Sequence, residues 1–359
     1  MSDDYYPGPW DEWKRKEPKD VGMDAGLLGE AVAFSKENET SFPRDQALRL
    51  ATVMGGKKCD DGEILGPTRM RGAPNGLVLR HGYIVAEWGE TRRVDMTYSA
   101  TKSYLSTCAG LALERGLIRD VHDPVKEYVT DGKFDSPHNS KITWHHLLQQ
   151  INEWDGTLWG KHYSAGNPDD VVREPVEPGT YYEYNDVRVN LTALSLLNVW
   201  RRPLPQVLKE LVMDPIGASN TWRWHGYRNS WVDIDGLKMQ SVSGGGHWGG
   251  GVHISSRDHA RFGLLFLRRG RWEDRQLVSE AWIDMATTPG DVNPVYGYMW
   301  WVNPEGKRWP SGPETSFSAI GAGGNFIWVD REHDLVIVTR WIDPSKFDGI
   351  VKRVLAAIK

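Results

Sequence analysis

The chain has 359 residues, 40% hydrophobic and 25% charged, ordinary usage for a folded globular protein that excludes the disordered and fibrous classes. Its formal charge of −5 is spread without a basic block. Nucleic acid and an anionic membrane therefore have no electrostatic case, and a small molecule is the expected partner.

The N-terminus, Met1-Ser2-Asp3-Asp4-Tyr5-Tyr6, is acidic and lacks an apolar stretch, so no secretory signal or membrane span is expected and the reading is cytoplasmic. Residues 1 to about 70 are rich in Pro, Gly and charge, with one helical stretch near Ala25–Phe34, and read as a wrapping segment. Gly76–Arg80 and Tyr83–Trp88 are β-rich runs separated by His81-Gly82, a two-residue hairpin signal. From Ser99 to Arg115, Tyr104, Leu105, Cys108, Leu111 and Ala112 follow helical spacing, and Gly116 is a natural stop. The stretch from about 117 to 240 carries helical segments at Trp144–Gln150 and Leu191–Val199 between Pro and Gly loops. A helix near Ser256–Leu267 then gives way to β-rich runs at Tyr298–Val302, Phe326–Val329 and Leu335–Thr339, and a helix near Lys346–Ile358 closes the chain.

Strands at both chain ends with helices between them predict an α+β fold: one antiparallel sheet flanked by helices, with a mostly helical lobe inserted. We expect a single catalytic unit over 1–359, with a sheet lobe of about 70–116 plus 245–359 and a helical lobe of about 117–244. A site would lie between the lobes. Cys59 and Cys108 lack metal-type spacing and read as free thiols. The sequons at Asn38 and Asn190 have no secretion signal to give them meaning. Most of the 18 tryptophans read as core, with Trp154 and Trp159 as possible pocket walls by position.

The chemistry begins at Ser99-Ala100-Thr101-Lys102, which sets a hydroxyl and an amine one helical turn apart. A lysine held over a serine can activate it as a nucleophile. Alone, S-x-x-K is a weak signal whose bland reading is an exposed helix lysine. A serine nucleophile also needs a proton carrier and an oxyanion hole. Tyr184, in the loop Pro178-Gly179-Thr180-Tyr181-Tyr182-Glu183-Tyr184-Asn185-Asp186, is the candidate carrier, though a packing tyrosine would look the same. Ala319-Ile320-Gly321-Ala322-Gly323-Gly324 offers backbone that a substrate can approach closely, or a bulged turn at a sheet edge. Histidines 145, 146, 247 and 253 lack metal spacing, so no metal or other cofactor is expected, and the G-x-S-x-G elbow is absent.

In this order the three elements resemble the serine hydrolases of the β-lactamase and penicillin-binding-protein family, which includes class C β-lactamases, esterases and 6-aminohexanoate-dimer hydrolase. The resemblance covers roughly residues 75–345 and takes in Ile142-Thr143-Trp144-His145-His146-Leu147-Leu148 and Gly249-Gly250-Gly251. It implies Ser99 as nucleophile, Lys102 as its partner, Tyr184 as general base and acid, and the N–H groups of Ser99 and Ala322 as the oxyanion hole. Asp186 stands where the family has asparagine; its carboxylate would keep Lys102 an ammonium able to support a Tyr184 phenolate. Ala319 and Ile320 replace the cation and hydroxyl with which relatives hold a substrate carboxylate, which argues against β-lactams and points to an uncharged carboxylic ester. Neutral amides of the 6-aminohexanoate-oligomer type are the alternative, and a non-catalytic acyl-binding sensor is a second. Ile151-Asn152-Glu153 also departs from the family pattern, with no reason visible in the sequence.

Overall fold

The computed structural model describes residues 4–54, 63–166 and 173–359, and Cys59 lies outside the described residues. Its helices are α1 (Ala25–Glu37), α2 (Gln46–Met54), α3 (Thr101–Glu114), α4 (Trp144–Leu148), α5 (Asp186–Trp200), α6 (Leu204–Leu208), α7 (Ser256–Leu267), α8 (Glu280–Ala286) and α9 (Phe347–Ala356). The first eight strands are β1 (Asn75–Arg80), β2 (Tyr83–Trp88), β3 (Asp95–Met96), β4 (Thr157–Leu158), β5 (Lys161–His162), β6 (Arg223–Ile234), β7 (Leu237–Val242) and β8 (Gly251–Ile254). After them come β9 (Arg271–Trp272), β10 (Arg275–Gln276), β11 (Trp301–Val302), β12 (Phe317–Gly321), β13 (Asn325–Asp330) and β14 (Leu335–Arg340).

An antiparallel sheet in the order β11-β12-β13-β14-β1-β2 frames the molecule. The joint between its C-terminal and N-terminal strands pairs β14 with β1, Asn75 opposite Arg340 and Arg80 opposite Leu335, so strands from both chain ends share one sheet. Leu77, Leu79, Val336 and Val338 enter one hydrophobic cluster, while Val78, Leu335 and Ile337 enter another. Successive side chains leave opposite faces of a strand, so unbroken apolar runs mean that both faces are covered. On the first face lies α7, carrying Phe262 and Leu265. The second is covered by α1 and α9 through Leu28, Ala31, Ile350 and Val354. Together these layers form the expected α+β architecture, an antiparallel sheet flanked by helices.

A second sheet, β3-β8-β6-β7, was not anticipated, and its long hairpin β6–β7 falls in a stretch expected to be helical. The pairing shifts register between Gly226 and Trp231. Such a bulge breaks the two-residue alternation by which a strand announces itself. Helix α5 begins five residues before the expected Leu191 because Asn185 caps it, its side chain accepting the Arg188 N–H at 3.1 Å. No described helix is long and apolar enough to cross a membrane.

Candidate active site

The helix expected from Ser99 instead opens as a 3-10 turn, Tyr98–Ala100, which runs into α3 at Thr101. Tyr98 has a φ of 49°, a left-handed conformation that costs a non-glycine residue roughly 1–2 kcal/mol. Its surroundings hold it there: the hydroxyl donates to Gln46 Oε1 at 2.5 Å, and the Trp341 ring meets its edge at 6.4 Å. Between buried Tyr98 and buried Ala100, Ser99 keeps partial exposure.

Lys102, on the next turn, is only 1% exposed. Its Nζ donates to Ser99 Oγ at 2.9 Å and to Asp186 Oδ1 at 2.6 Å, and lies 4.5 Å from the centre of the Tyr184 ring. Burial acting alone would pull the lysine down, but the Asp186 carboxylate and then the Tyr184 oxygen outweigh it and the net displacement is upward. Burial pushes the Asp186 carboxyl up, yet Lys102 and then His247 carry it well below the usual range. His247 Nδ1 sits 3.0 Å from Asp186 Oδ2, so one carboxylate serves two nitrogen partners. The Gly244–Gly246 backbone closes over this pair. A Cβ at Gly245 would stand 2.4 Å from Asp186 Oδ1 and 2.5 Å from Lys102 Nζ, so the cover requires glycine.

Tyr184 ends a loop that is stitched to residues 150–153. The Gly179 N–H donates to the Ile151 carbonyl at 2.8 Å, the Glu183 N–H to the Gln150 carbonyl at 3.0 Å and the Asn185 N–H to Gln150 Oε1 at 3.0 Å. Here Ile151-Asn152-Glu153 finds its reason. Glu153, 0% exposed, accepts Arg173 on both oxygens at 2.6 and 2.7 Å, Arg188 at 2.8 Å and the Val176 N–H at 2.9 Å. Arg188 also donates to Glu183 at 2.5 Å and to the Trp154 carbonyl at 3.1 Å. A buried carboxylate thus anchors both flanks of Tyr184. The Tyr184 ring in turn stacks on Trp301 at 5.8 Å, and Tyr296 meets it nearly edge-on at 6.2 Å.

At the other side of Ser99, β12 ends against the Tyr98–Ala100 turn. A Cβ on Gly321 would lie 1.9 Å from the Thr97 carbonyl oxygen and 3.2 Å from the Ala100 nitrogen. Ala322, the next residue, is exposed, and its carbonyl accepts Asn325 Nδ2 at 2.7 Å. The fold therefore gathers Ser99, Lys102, Tyr184 and Asp186 and runs the strand end bearing Ala322 up to them. Trp159 is connected through a chain of rings: it meets Tyr227 at 5.8 Å, Tyr227 meets Trp248 at 6.2 Å, and Trp248 follows His247. The four histidines do not converge on one point: His247 is on Asp186, His253 is against His225, and the neighbouring His145 and His146 turn to the Tyr298 hydroxyl and the Thr143 N–H. Among the described residues no group of three His, Cys, Asp or Glu is placed to hold a metal ion.

Sequence reasoning missed His247, Gly245 and the Glu153–Arg173–Arg188 network. The run Gly244-Gly245-Gly246 just before a histidine was the available signal for the first two.

The Beta-lactamase family matches residues 77–341. The 6-aminohexanoate-dimer hydrolase of Paenarthrobacter ureafaciens is 29% identical over 301 residues, 75% of this chain and 73% of that protein. Among solved structures, EstCE1, described as a hydrolase with promiscuous acyltransferase activity, is similar at a TM-score of 0.63 and 14% identity, covering 92% of this chain and 98% of its own. A beta-lactamase from Mycobacterium bovis gives 0.58 at 21% identity, covering 79% and 94%. At those identities the structural likeness speaks for the fold alone. The family match, by contrast, spans well over half of the chain and takes in Ser99, Lys102, Tyr184 and Gly321, so the chain belongs to the Beta-lactamase family and is a serine hydrolase of that fold.

Proposed function

We propose that the protein hydrolyses a carboxylic ester, a small-molecule substrate, through an acyl-enzyme on Ser99. The observation that carries this reading is the double contact of Lys102 Nζ, 2.9 Å from Ser99 Oγ and 2.6 Å from Asp186 Oδ1. Held as an ammonium by Asp186, the lysine has no lone pair for the serine proton. Tyr184, whose ring lies against that ammonium, is the base. It takes the Ser99 proton as Oγ attacks the carbonyl carbon, and passes it to the leaving alkoxide as the ester bond breaks. The N–H groups of Ser99 and Ala322 receive the oxyanion. Water then attacks the acyl carbon, gives a proton to Tyr184, and Ser99 leaves with that proton restored.

An amide substrate is the second reading, favoured by the 29% identity to a protein named for hydrolysing the 6-aminohexanoate dimer. Intact-protein mass spectrometry after a fluorophosphonate, beside 4-nitrophenyl ester turnover, tests the proposal. One adduct, lost in Ser99→Ala, together with turnover that falls roughly a hundredfold or more in Tyr184→Phe, is the expected result. Labelling without ester or amide turnover would make the protein an acyl-binding sensor, and absence of labelling would overturn the acyl-enzyme.

A further inference from the structure

Two aromatic residues with left-handed backbone meet ring to ring. Tyr98 has a φ of 49° and Trp341, the residue after β14, a φ of 63°; the two rings stand at 89° with their centres 6.4 Å apart. For a residue with a large side chain this conformation is an outlier, and it persists only where the surroundings over-determine it.

Trp341 is tied down on several sides. It is 0% exposed, and its Nε1 donates to Asp95 Oδ2 at 2.8 Å, an oxygen that also accepts the Gly72 N–H at 3.0 Å. Asp95 is held in turn by Arg93 Nε, 3.0 Å from its other oxygen. The Trp341 carbonyl accepts the Thr40 N–H at 2.9 Å, and the Arg71 guanidinium lies 5.5 Å from the centre of the ring. Thr40 and Arg71 both precede residue 77, where the Beta-lactamase match begins.

The ring stands between two pieces of backbone. On one side is Tyr98, which leads directly into Ser99. On the other is the turn from β12 to β13: a Cβ on Gly323, at a φ of 83°, would lie 2.9 Å from Trp341 Cζ3 and 3.0 Å from both Trp341 Cε3 and Phe42 Cδ2. Gly323 follows Ala322, whose carbonyl is fixed by Asn325. Ser99 and Ala322, the two residues assigned to the oxyanion hole, are thus each one residue away from a contact with the same buried ring. Oxyanion donors act only if they are in place before the charge develops, and it is the packing behind them that keeps them there.

We propose that Trp341 is a positioning residue that sets the spacing between the Ser99 and Ala322 N–H groups. It touches no reacting atom and acts through Tyr98 on one side and Gly323 on the other. The proposal rests on the acyl-enzyme reading of Ser99 and deepens it.

The test compares 4-nitrophenyl acetate with O-4-nitrophenyl thionoacetate, in which sulfur, a weaker hydrogen-bond acceptor, replaces the carbonyl oxygen. Relative to alkaline hydrolysis, wild type should favour the oxygen ester on the order of a hundredfold in kcat/KM, the scale of an oxyanion donor. Trp341→Phe withdraws the outer ring and the N–H of the indole and should lower that preference roughly tenfold, through kcat with KM little changed. Trp328→Phe makes the same chemical change in the other hydrophobic cluster and should leave the preference as it is. Should Trp341→Phe not fold, Asp95→Asn, which keeps the ring and weakens its anchor, must lower the same preference. A preference that survives in the folded variant, one that falls equally in Trp328→Phe, or one absent from wild type overturns the proposal. If a fluorophosphonate labels Ser99 but no ester is turned over, the rate of labelling decides: slowing confined to the Trp341 variant supports the proposal, and an unchanged rate overturns it. Absence of labelling would remove the acyl-enzyme reading itself, and the proposal with it.

Discussion

Glu153→Ala withdraws a carboxylate that two arginines and a backbone N–H share. Removing one partner of a buried ion pair typically costs about 3–5 kcal/mol, because the other charge is left desolvated. The two arginines differ in how far that applies. The Arg173 side chain is 22% exposed and can recover water, whereas Arg188 is 2% exposed but keeps Glu183 at 2.5 Å and the Trp154 carbonyl at 3.1 Å. Both features move the loss toward the lower end, and the stranded Val176 N–H adds about 1 kcal/mol. A destabilisation of about 3–4 kcal/mol follows, to be read from urea unfolding by tryptophan fluorescence at pH 7. With a slope near about 3 kcal/mol/M, the midpoint falls by about 1 M. Because the same network flanks Tyr184, kcat on a 4-nitrophenyl ester should drop with KM little changed. Glu153→Gln keeps the shape and an acceptor oxygen and should lose less on both counts. A midpoint shift equivalent to under about 1 kcal/mol in Glu153→Ala would refute this account of the anchor.

Asp186→Asn removes the strongest upward influence on Lys102 while leaving burial, which acts downward, in place. The lysine should then shed its proton at lower pH, and the alkaline limb of kcat/KM should move down; a limb that stays put would mean that the ammonium is not required. Gly321→Ala would force a Cβ to within 1.9 Å of the Thr97 carbonyl, so β12 must back away from the Ser99 turn. A fall in kcat on the order of a hundredfold, the scale of losing one oxyanion donor, is expected, and wild-type kcat would exclude the assignment of Ala322. His253 is held down to about 4, by burial first and then by His225. The unfolded chain takes up that proton near pH 6.5, so folding stability should decline as pH falls from about 6.5 to 4 and level off below. In His253→Asn the decline, measured by urea midpoints at stepped pH, should be shallower by up to about 1.4 kcal/mol per pH unit; an identical slope would contradict a neutral buried His253.

What could be read from the chain depended on how local the signal was. The β1–β2 hairpin, α3 and the Ser99–Lys102 pair each lie within a few residues, where spacing maps onto geometry. Asp186 could be placed near Lys102 only through the family pattern, and His247 and Gly245 join them from a loop more distant still along the chain. No periodicity links such residues. Glu153 was visible as an oddity but not as an anchor, since its partners Arg173 and Arg188 lie beyond it in a loop and on a helix face. The register that brings Gly321 to the Thr97 carbonyl follows from pairing Gly321 with Asn325 across the β12–β13 turn.

The joint between β1 and β14 has a consequence for how this molecule is made. Ser99 leaves the ribosome soon after β1 and β2, but the strand against which β1 must pair, and the β12 end that abuts the Ser99 turn, are translated more than two hundred residues later. For all that time β1 presents an apolar edge with its pairing groups open on one side, a surface that invites association with other chains. Closing so long a loop is slow compared with forming local hairpins and helices. The surroundings of Ser99 are therefore completed last, and any nascent chain that stalls before Leu335 carries Ser99 without the sheet that frames it.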